Sequence, residues 1–361
     1  MLGRNTAICR YVEKILYAMM KLPRPMLVLF GAGATRAAFD TGDPPPPLDS
    51  DFFEIALQIS KRGTGDFARR VAKNVHDLYA KVIGIGLEQY YRDIDTRYDL
   101  ARFAKPPNRP MDWGVRRRSL EELIRRVLIQ TTCEMSNGPA RVRPSSLHRK
   151  ILENLEEDDV LLTFNYDTII EESMPRRTSI WTPREGYGVD VTGVKQEWAR
   201  KWFSNHDIDP NKKSEVILLK LHGSINWRLY KNNNVALKKR PYVVRAGRTE
   251  IAAFLGPGWH KRIDRQPYSG IWRMARLELE TCRSLVIVGY SLPDTDLIAR
   301  ALFLEMVRRR NAAGRYLKEL HVADTSDFTR QRIIDLFTPA LGPTGKIFRY
   351  SSAQEMAERW S

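Results

Sequence analysis

At 361 residues, with 43% apolar and 28% charged positions, the chain has the make-up of a folded globular protein, long enough for one large α/β domain with insertions or two modest domains. No apolar run approaches bilayer-spanning length, and Ala7–Met20 is broken by Arg10, Glu13 and Lys14, which excludes an uninterrupted signal-peptide core and reads as a retained amphipathic helix in a soluble protein. Cys9, Cys133 and Cys282 are too scattered for a disulfide framework or a Cys-x-x-Cys metal knuckle, so a reducing cytoplasm is expected; a formal charge of +16 favours nucleic acid, an acidic protein partner or a solvated basic surface.

Five short apolar runs follow in chain order: Met26–Phe30, Val160–Phe164, Val216–Leu221, Leu285–Val288 and Leu320–Ala323. Their hydrophobicity is continuous rather than alternating, which predicts strands buried on both faces, as in a mostly parallel sheet covered by helices. Each run ends in residues suited to binding or catalysis: Gly31-Ala32-Gly33-Ala34-Thr35, Asn165-Tyr166-Asp167, His222-Gly223-Ser224, Gly289-Tyr290-Ser291 and Asp324-Thr325-Ser326. In open α/β sheets ligands bind beyond the carboxyl ends of the strands, so these five ends form the candidate site.

Between the first two strands, helical periodicity over Phe67–Val82, Leu120–Thr131 and Leu147–Leu155 predicts an inserted, mainly helical subdomain spanning about residues 54–158. The proline tract Pro44–Pro47 stiffens the loop leaving the glycine turn. Two further insertions, 176–211 and 230–267, are rich in Trp, Tyr, Arg and Lys and carry no readable fold. Basic runs at Arg116–Arg118 and Lys238–Arg240 come without any nucleic-acid-binding signature, and such runs usually mark solvated faces.

A strand running into Gly31-Ala32-Gly33-Ala34-Thr35 makes a tight turn whose amides and small side chains suit a pyrophosphate. The dinucleotide fingerprint would place a third glycine where Arg36 stands, so the turn alone is equally compatible with a plain strand-to-helix joint. Taken singly, Asn165 and Asp167 suit the start of a following helix, His222 a satisfied histidine beside a turn, and Ser291 and Asp294, around Pro293, a turn before the next helix.

Taken in order, the strand ends resemble the sirtuin family, with its Gly-Ala-Gly turn, Thr-Gln-Asn-Ile-Asp strand end, His-Gly pair, Gly-Thr-Ser turn and late polar strand end. The counterparts here are Gly31-Ala32-Gly33, Thr163-Phe164-Asn165-Tyr166-Asp167, His222-Gly223, Gly289-Tyr290-Ser291 and Asp324. Phe-Asn-Tyr-Asp and Leu-His-Gly-Ser strand ends make the resemblance closest to the sirtuin-like NAD hydrolases of bacterial anti-phage defence. It implies a single Rossmann-like domain over residues 1–361, with NAD as substrate. Asn165, His222 and Asp167 are then the catalytic residues, and Gly31, Ala32, Gly33, Ala34, Thr35, Asp51, Gly289, Ser291 and Asp324 contact the dinucleotide. Asp49 and Asp51-Phe52 stand where sirtuins carry a Pro-Asp-Phe-Arg cofactor loop. Sirtuin deacylases hold zinc on four cysteines; this chain has three, so no metal is expected. Phe164 replaces the family's glutamine, and both departures favour water over acyl-lysine as acceptor.

The implied activity is release of nicotinamide and ADP-ribose. Alternatives are ADP-ribosyl transfer to a macromolecule and a non-catalytic NAD- or nucleic-acid-sensing subunit. A homo-oligomer, or a separate partner of translocase-ATPase or Argonaute type, fits the resemblance; nothing after Asp324 reads as either domain fused in place.

Overall fold

The structure, a computed structural model, describes residues 22–62, 86–103, 113–134, 141–175, 180–189, 191–192, 213–229, 235–237, 253–257 and 263–360, with isolated positions between 69 and 84. The predicted helices at Ala7–Met20 and, for the most part, Phe67–Val82 lie outside these residues, as do the Lys238–Arg240 run and most of both later insertions.

In chain order the elements are β1 (Met26–Phe30), α1 (Ala32–Ala38), α2 (Phe52–Arg62), α3 (Leu87–Phe103), α4 (Trp113–Thr132), β2 (Cys133–Glu134), β3 (Arg141–Val142), α5 (Ser146–Leu152), β4 (Val160–Thr163), α6 (Ile169–Ser173), β5 (Val191–Thr192) and β6 (Ile217–Lys220). There follow β7 (Trp227–Leu229), β8 (Val235–Leu237), α7 (Tyr268–Thr281), β9 (Ser284–Val288), α8 (Leu297–Ala313), β10 (Leu317–Ala323), α9 (Asp327–Phe337), a 3-10 turn (Thr338–Ala340), β11 (Leu341–Tyr350) and α10 (Ala353–Arg359).

Six strands form one sheet in the order β11-β10-β9-β1-β4-β6, every pairing parallel. This is the doubly wound Rossmann-like order, and its reversal lies between β1 and β9. Five of the six strands are those expected. The sixth, β11, escapes a search for apolar runs because, unlike the other edge strand β6, it is largely exposed: Gly342, Pro343 and Gly345 open it and most of its side chains are at least partly exposed, as an edge position permits. The central strands β1 and β9 are buried at every residue, matching their unbroken apolar sequence.

Helices flank the sheet. α1, α5 and α10 pack on one another, and α7, α8 and the 3-10 turn form a second group. The connection from β1 to β4 carries its own apolar cluster, in which Phe52 and Phe53 of α2 meet Tyr90, Tyr91 and Ile94 of α3 and Leu120, Leu123 and Ile124 of α4. Phe254 and Tyr166 join that cluster, so the helices α2 to α4 rest against the carboxyl end of the sheet beside β4 and β6. α5, within the span expected to be inserted, instead lies in the layer with α1 and α10.

At the amino end of the sheet the fully buried Asp159 accepts from the amides of Met26 (2.8 Å) and Glu156 (2.9 Å) and pairs with Arg24, pinning the starts of β1 and β4 together. Beneath β1, His148 stacks on Phe30 at 5.0 Å, with Nδ1 2.8 Å from the Ser145 hydroxyl that caps α5. Burial lowers its pKa to about 3. An unfolded histidine takes up its proton near pH ~6.5, so the unfolded chain is the better proton binder between those values and stability is lost as pH falls. Urea unfolding should lose up to about 1.4 kcal/mol per pH unit below pH ~6.5. His148→Asn, which keeps a polar atom near Ser145, should flatten the slope between pH ~5 and ~6.5; an unchanged slope would assign the acid sensitivity elsewhere.

Candidate functional site

The glycine turn is built by backbone contact between two strand ends. The Gly31 amide donates to Val288 O at 2.9 Å, the Gly33 amide to Gly289 O at 2.8 Å, and the Gly289 amide to Ala323 O at 2.8 Å. A side chain on Gly31 would collide with Gly289 and Tyr290, and a Cβ on Gly33 would sit 2.8 Å from Gly289 O. Gly289 itself has φ +59°, a left-handed backbone that favours glycine. The amides of Gly31 and Gly33, expected to face a pyrophosphate, are thus committed to the β9 turn. Ala32 is the exposed residue of the turn, while Ala34 and Thr35 are buried.

Arg36, standing where the fingerprint has its third glycine, binds the Asp51 carboxylate and Pro46 O. Asp51 also accepts from the Leu48 amide at 2.7 Å. Asp51 therefore holds the proline loop against α1, and Asp49 accepts from the Glu88 amide at 2.7 Å, tying that loop to the start of α3.

Thr35 links the first strand end to the second. Its hydroxyl donates to Asp167 Oδ2 at 3.1 Å and accepts from Asn165 Nδ2 at 3.2 Å. The Asn165 amide N–H donates to Thr163 Oγ1 (3.0 Å), whose hydroxyl donates to Phe30 O (2.8 Å). The backbone of Asn165 is fixed from β4 and its side chain from α1, and the residue stays partly exposed. Asp167 is buried; its other oxygen accepts from the Ile169 amide at 3.1 Å, at the start of α6. Its carboxylate acts inward, on Thr35 and the backbone, so Asp167 orients Asn165 through Thr35.

His222 follows β6 directly, and β6 pairs with β4 at Thr163 and Lys220. Its ring lies 5.0 Å from Phe164 and 5.9 Å from Tyr166, the two residues flanking Asn165, and 6.4 Å from Trp272 of α7. Tyr166 is anchored through its hydroxyl to Leu255 O at 2.8 Å. His222 Nε2 faces Asp296 Oδ2 at 3.3 Å, both side chains being almost wholly buried. Asp296 carries a single signal in the sequence, an aspartate just before the apolar start of α8, which is how a helix cap reads.

A second buried constellation supports these strand ends. Lys220, fully buried in β6, donates to the Asp167 carbonyl and to Glu171 Oε1 at 2.9 Å. Glu171 also accepts from the Tyr187 hydroxyl (3.0 Å), which is 3.3 Å from Asn226 Nδ2. Burial pushes the Glu171 carboxyl upward, opposed by the Lys220 ammonium beside it.

Gly289 meets the glycine turn directly. Ser291 is exposed, its carbonyl accepting from Arg332. Asp324 lies one strand farther out, half-buried, accepting from the Ser326 amide at 2.9 Å, with burial raising its carboxyl pKa. Near it, α9 and the end of β11 enclose a cavity of about 490 Å³ lined by Arg330, Arg349, Ser351 and Glu355 among others. Hydrogen bonds join Thr35, Asn165 and Asp167 into one group, and His222 with Asp296 lies beside it; Asp51, Ser291 and Asp324 are engaged elsewhere, with Arg36, Arg332 and Ser326.

Thr35→Val, matched in shape, removes the donor to a buried carboxylate and should cost about 1–3 kcal/mol in denaturant unfolding, whereas Thr35→Ser should retain most of the stability. Equal stability of Thr35→Val and wild type would remove Thr35 from this role.

Among the described residues no group of three or more His, Cys, Asp or Glu side chains is placed to hold a metal ion, and Cys133 and Cys282 are buried free thiols. No described helix is long and apolar enough to cross a membrane. A search of curated proteins finds no match. Residues 159–322, from the start of β4 to near the end of β10, match the family model of the SIR2-like domain, which supports a sirtuin-like family and NAD-related activity for the α/β fold described above.

Proposed function

We propose that this protein is a zinc-free, sirtuin-like NAD hydrolase that cleaves the nicotinamide–ribose bond, and that it serves anti-phage defence by depleting NAD. The observation that carries the reading is the pairing of a fixed Asn165 with His222 on the next strand end, beyond a Rossmann-like switch point within a SIR2-like sequence match.

The nicotinamide of NAD is already a cationic leaving group, so cleavage demands stabilisation of an oxocarbenium-like ribose and a nucleophile at its anomeric carbon rather than a strong acid. Asn165, with its amide held by Thr35, presents donor and acceptor groups to a ribose hydroxyl or to the attacking water. His222 accepts the proton that water loses as the new C–O bond forms. The glycosidic electron pair leaves with neutral nicotinamide, and one proton is released to solvent per turnover. Asp167 contributes by orienting Thr35 and adding negative charge behind the ribose.

Purified protein incubated with NAD under activating conditions should release nicotinamide and free ADP-ribose. Asn165→Ala and His222→Ala should each lower that rate about a hundredfold or more in protein that remains folded, with His222→Ala melting lower because Asp296 loses its partner. Turnover undiminished in both variants would refute the assignment, and label from adenine-labelled NAD found on a macromolecule would replace hydrolysis with ADP-ribosyl transfer.

A further inference from the structure

We propose that Asp296 is the positioning residue for His222: its carboxylate fixes a proton on Nε2 and so commits the imidazole to act as a base through Nδ1. The proposal rests on the reading of His222 as the base in NAD cleavage.

The two oxygens of Asp296 have separate tasks. Oδ1 accepts from the Ala299 amide at 3.2 Å and caps α8, while Oδ2 faces His222 Nε2 at 3.3 Å. The Asp296 amide is itself held by Pro293 O at 3.1 Å, so the carboxylate is anchored by the helix start on which it sits. Capping alone does not call for a charge, since serine, threonine and asparagine serve as well. Among the described residues three other helices are capped by serine: Ser145 for α5, Ser326 for α9 and Ser352 for α10. Ser145 also meets a histidine, His148 at 2.8 Å, but with an uncharged hydroxyl; Asp296 differs in bringing a charge to its ring. Burying a carboxylate is costly unless it is paired, and an imidazole able to become positively charged offsets that cost.

The other groups packed on His222 do not substitute for this partner. Phe164 and Trp272 are uncharged. Tyr166, stacked on the ring, is a buried phenol whose pKa burial pushes well above its ordinary value, and it donates to Leu255 O, so it stays neutral. Tyr268 of α7, beside Gly223, is likewise raised by burial. Glu88 of α3 and Glu121 of α4 also act on Tyr166, and their negative charge adds to that of Asp296. A proton held on Nε2 by the carboxylate 3.3 Å away leaves the lone pair of the neutral ring on Nδ1. As water attacks, its proton passes to Nδ1 and Asp296 stabilises the resulting imidazolium, as the aspartate of a Ser-His-Asp triad does.

The test uses the full chain with 15N-labelled imidazoles; His222→Gln assigns the His222 signals among the six histidines. Asp296→Asn keeps the cap and the shape and removes only the charge. Wild type should show the Nε2–H tautomer at His222. Asp296→Asn should melt within a few degrees of wild type, lower the His222 pKa by about a unit or more and lose the single tautomer. Its nicotinamide release should fall about 10²–10⁴-fold, with the acid limb of the pH profile moved to lower pH. Should Asn fail to support the fold, Asp296→Ser, matching the serine caps, makes the same comparison. A folded variant whose His222 keeps the wild-type pKa and tautomer overturns the proposal, whatever its activity. Absence of nicotinamide release from wild type, with the tautomer and pKa changes as expected, overturns the NAD reading and leaves the Asp296–His222 coupling standing.

Discussion

Where β1 and β9 end side by side, their backbones approach more closely than side chains allow. Gly31 and Gly33 donate to Val288 and Gly289 carbonyls, and the left-handed Gly289 turn fits against Gly33 and Ala34. This contact sits at the point where the strand order reverses, so both halves of the sheet are locked to each other at the crevice where such folds bind ligands. α1 starts there, and its direction brings Thr35 onto the β4 loop, where one hydroxyl holds both Asn165 and Asp167. The arrangement of the candidate site is therefore a consequence of backbone packing at three glycines. Binding of phosphate by that turn cannot rest on the Gly31 and Gly33 amides, which already have partners.

The second support is electrostatic. A lysine wholly buried at the end of a strand is expensive, and removing one member of a buried ion pair generally costs more than replacing both. Lys220 offsets the cost by meeting Glu171 and the Asp167 carbonyl, so β6, which delivers His222, is tied to the loop that carries Asn165. Tyr187 and Asn226 extend the network, and hydrogen bonds linked in so buried a setting strengthen one another. The catalytic candidates thus sit on strand ends braced from both sides: by Thr35 and Thr163 toward β1, and by Lys220 toward β6.

Much of this could be read from residue order because parallel, doubly covered strands leave continuous apolar runs, and the ends of those runs are where a Rossmann-like sheet keeps its chemistry. β11 was invisible for the opposite reason: an edge strand tolerates glycine, proline and exposed charge. The role of Arg36 was read as a missing glycine, whereas its guanidinium is what fastens the proline loop through Asp51. Asp296 lay beyond local reading because its cap position is a short-range signal, while its meeting with His222 joins elements more than 70 residues apart that only the folded sheet brings together. Lys220 carried a signal in plain view, a charge inside an apolar run, but its partners come from α6 and the β4 loop.

A sirtuin-like sequence match, a parallel sheet with its switch point at the glycine turn, and an asparagine and a histidine on adjoining strand ends are the grounds on which NAD cleavage is proposed. The most direct measurement is a crystal structure of the full chain with a carbocyclic NAD analogue that cannot lose nicotinamide. Its nicotinamide-side ring should lie between Asn165 and His222, with the diphosphate crossing the Gly31–Thr35 turn toward Gly289. An analogue seated instead in the cavity of Arg330, Arg349 and Ser351, or one that does not bind at all, would contradict this site assignment.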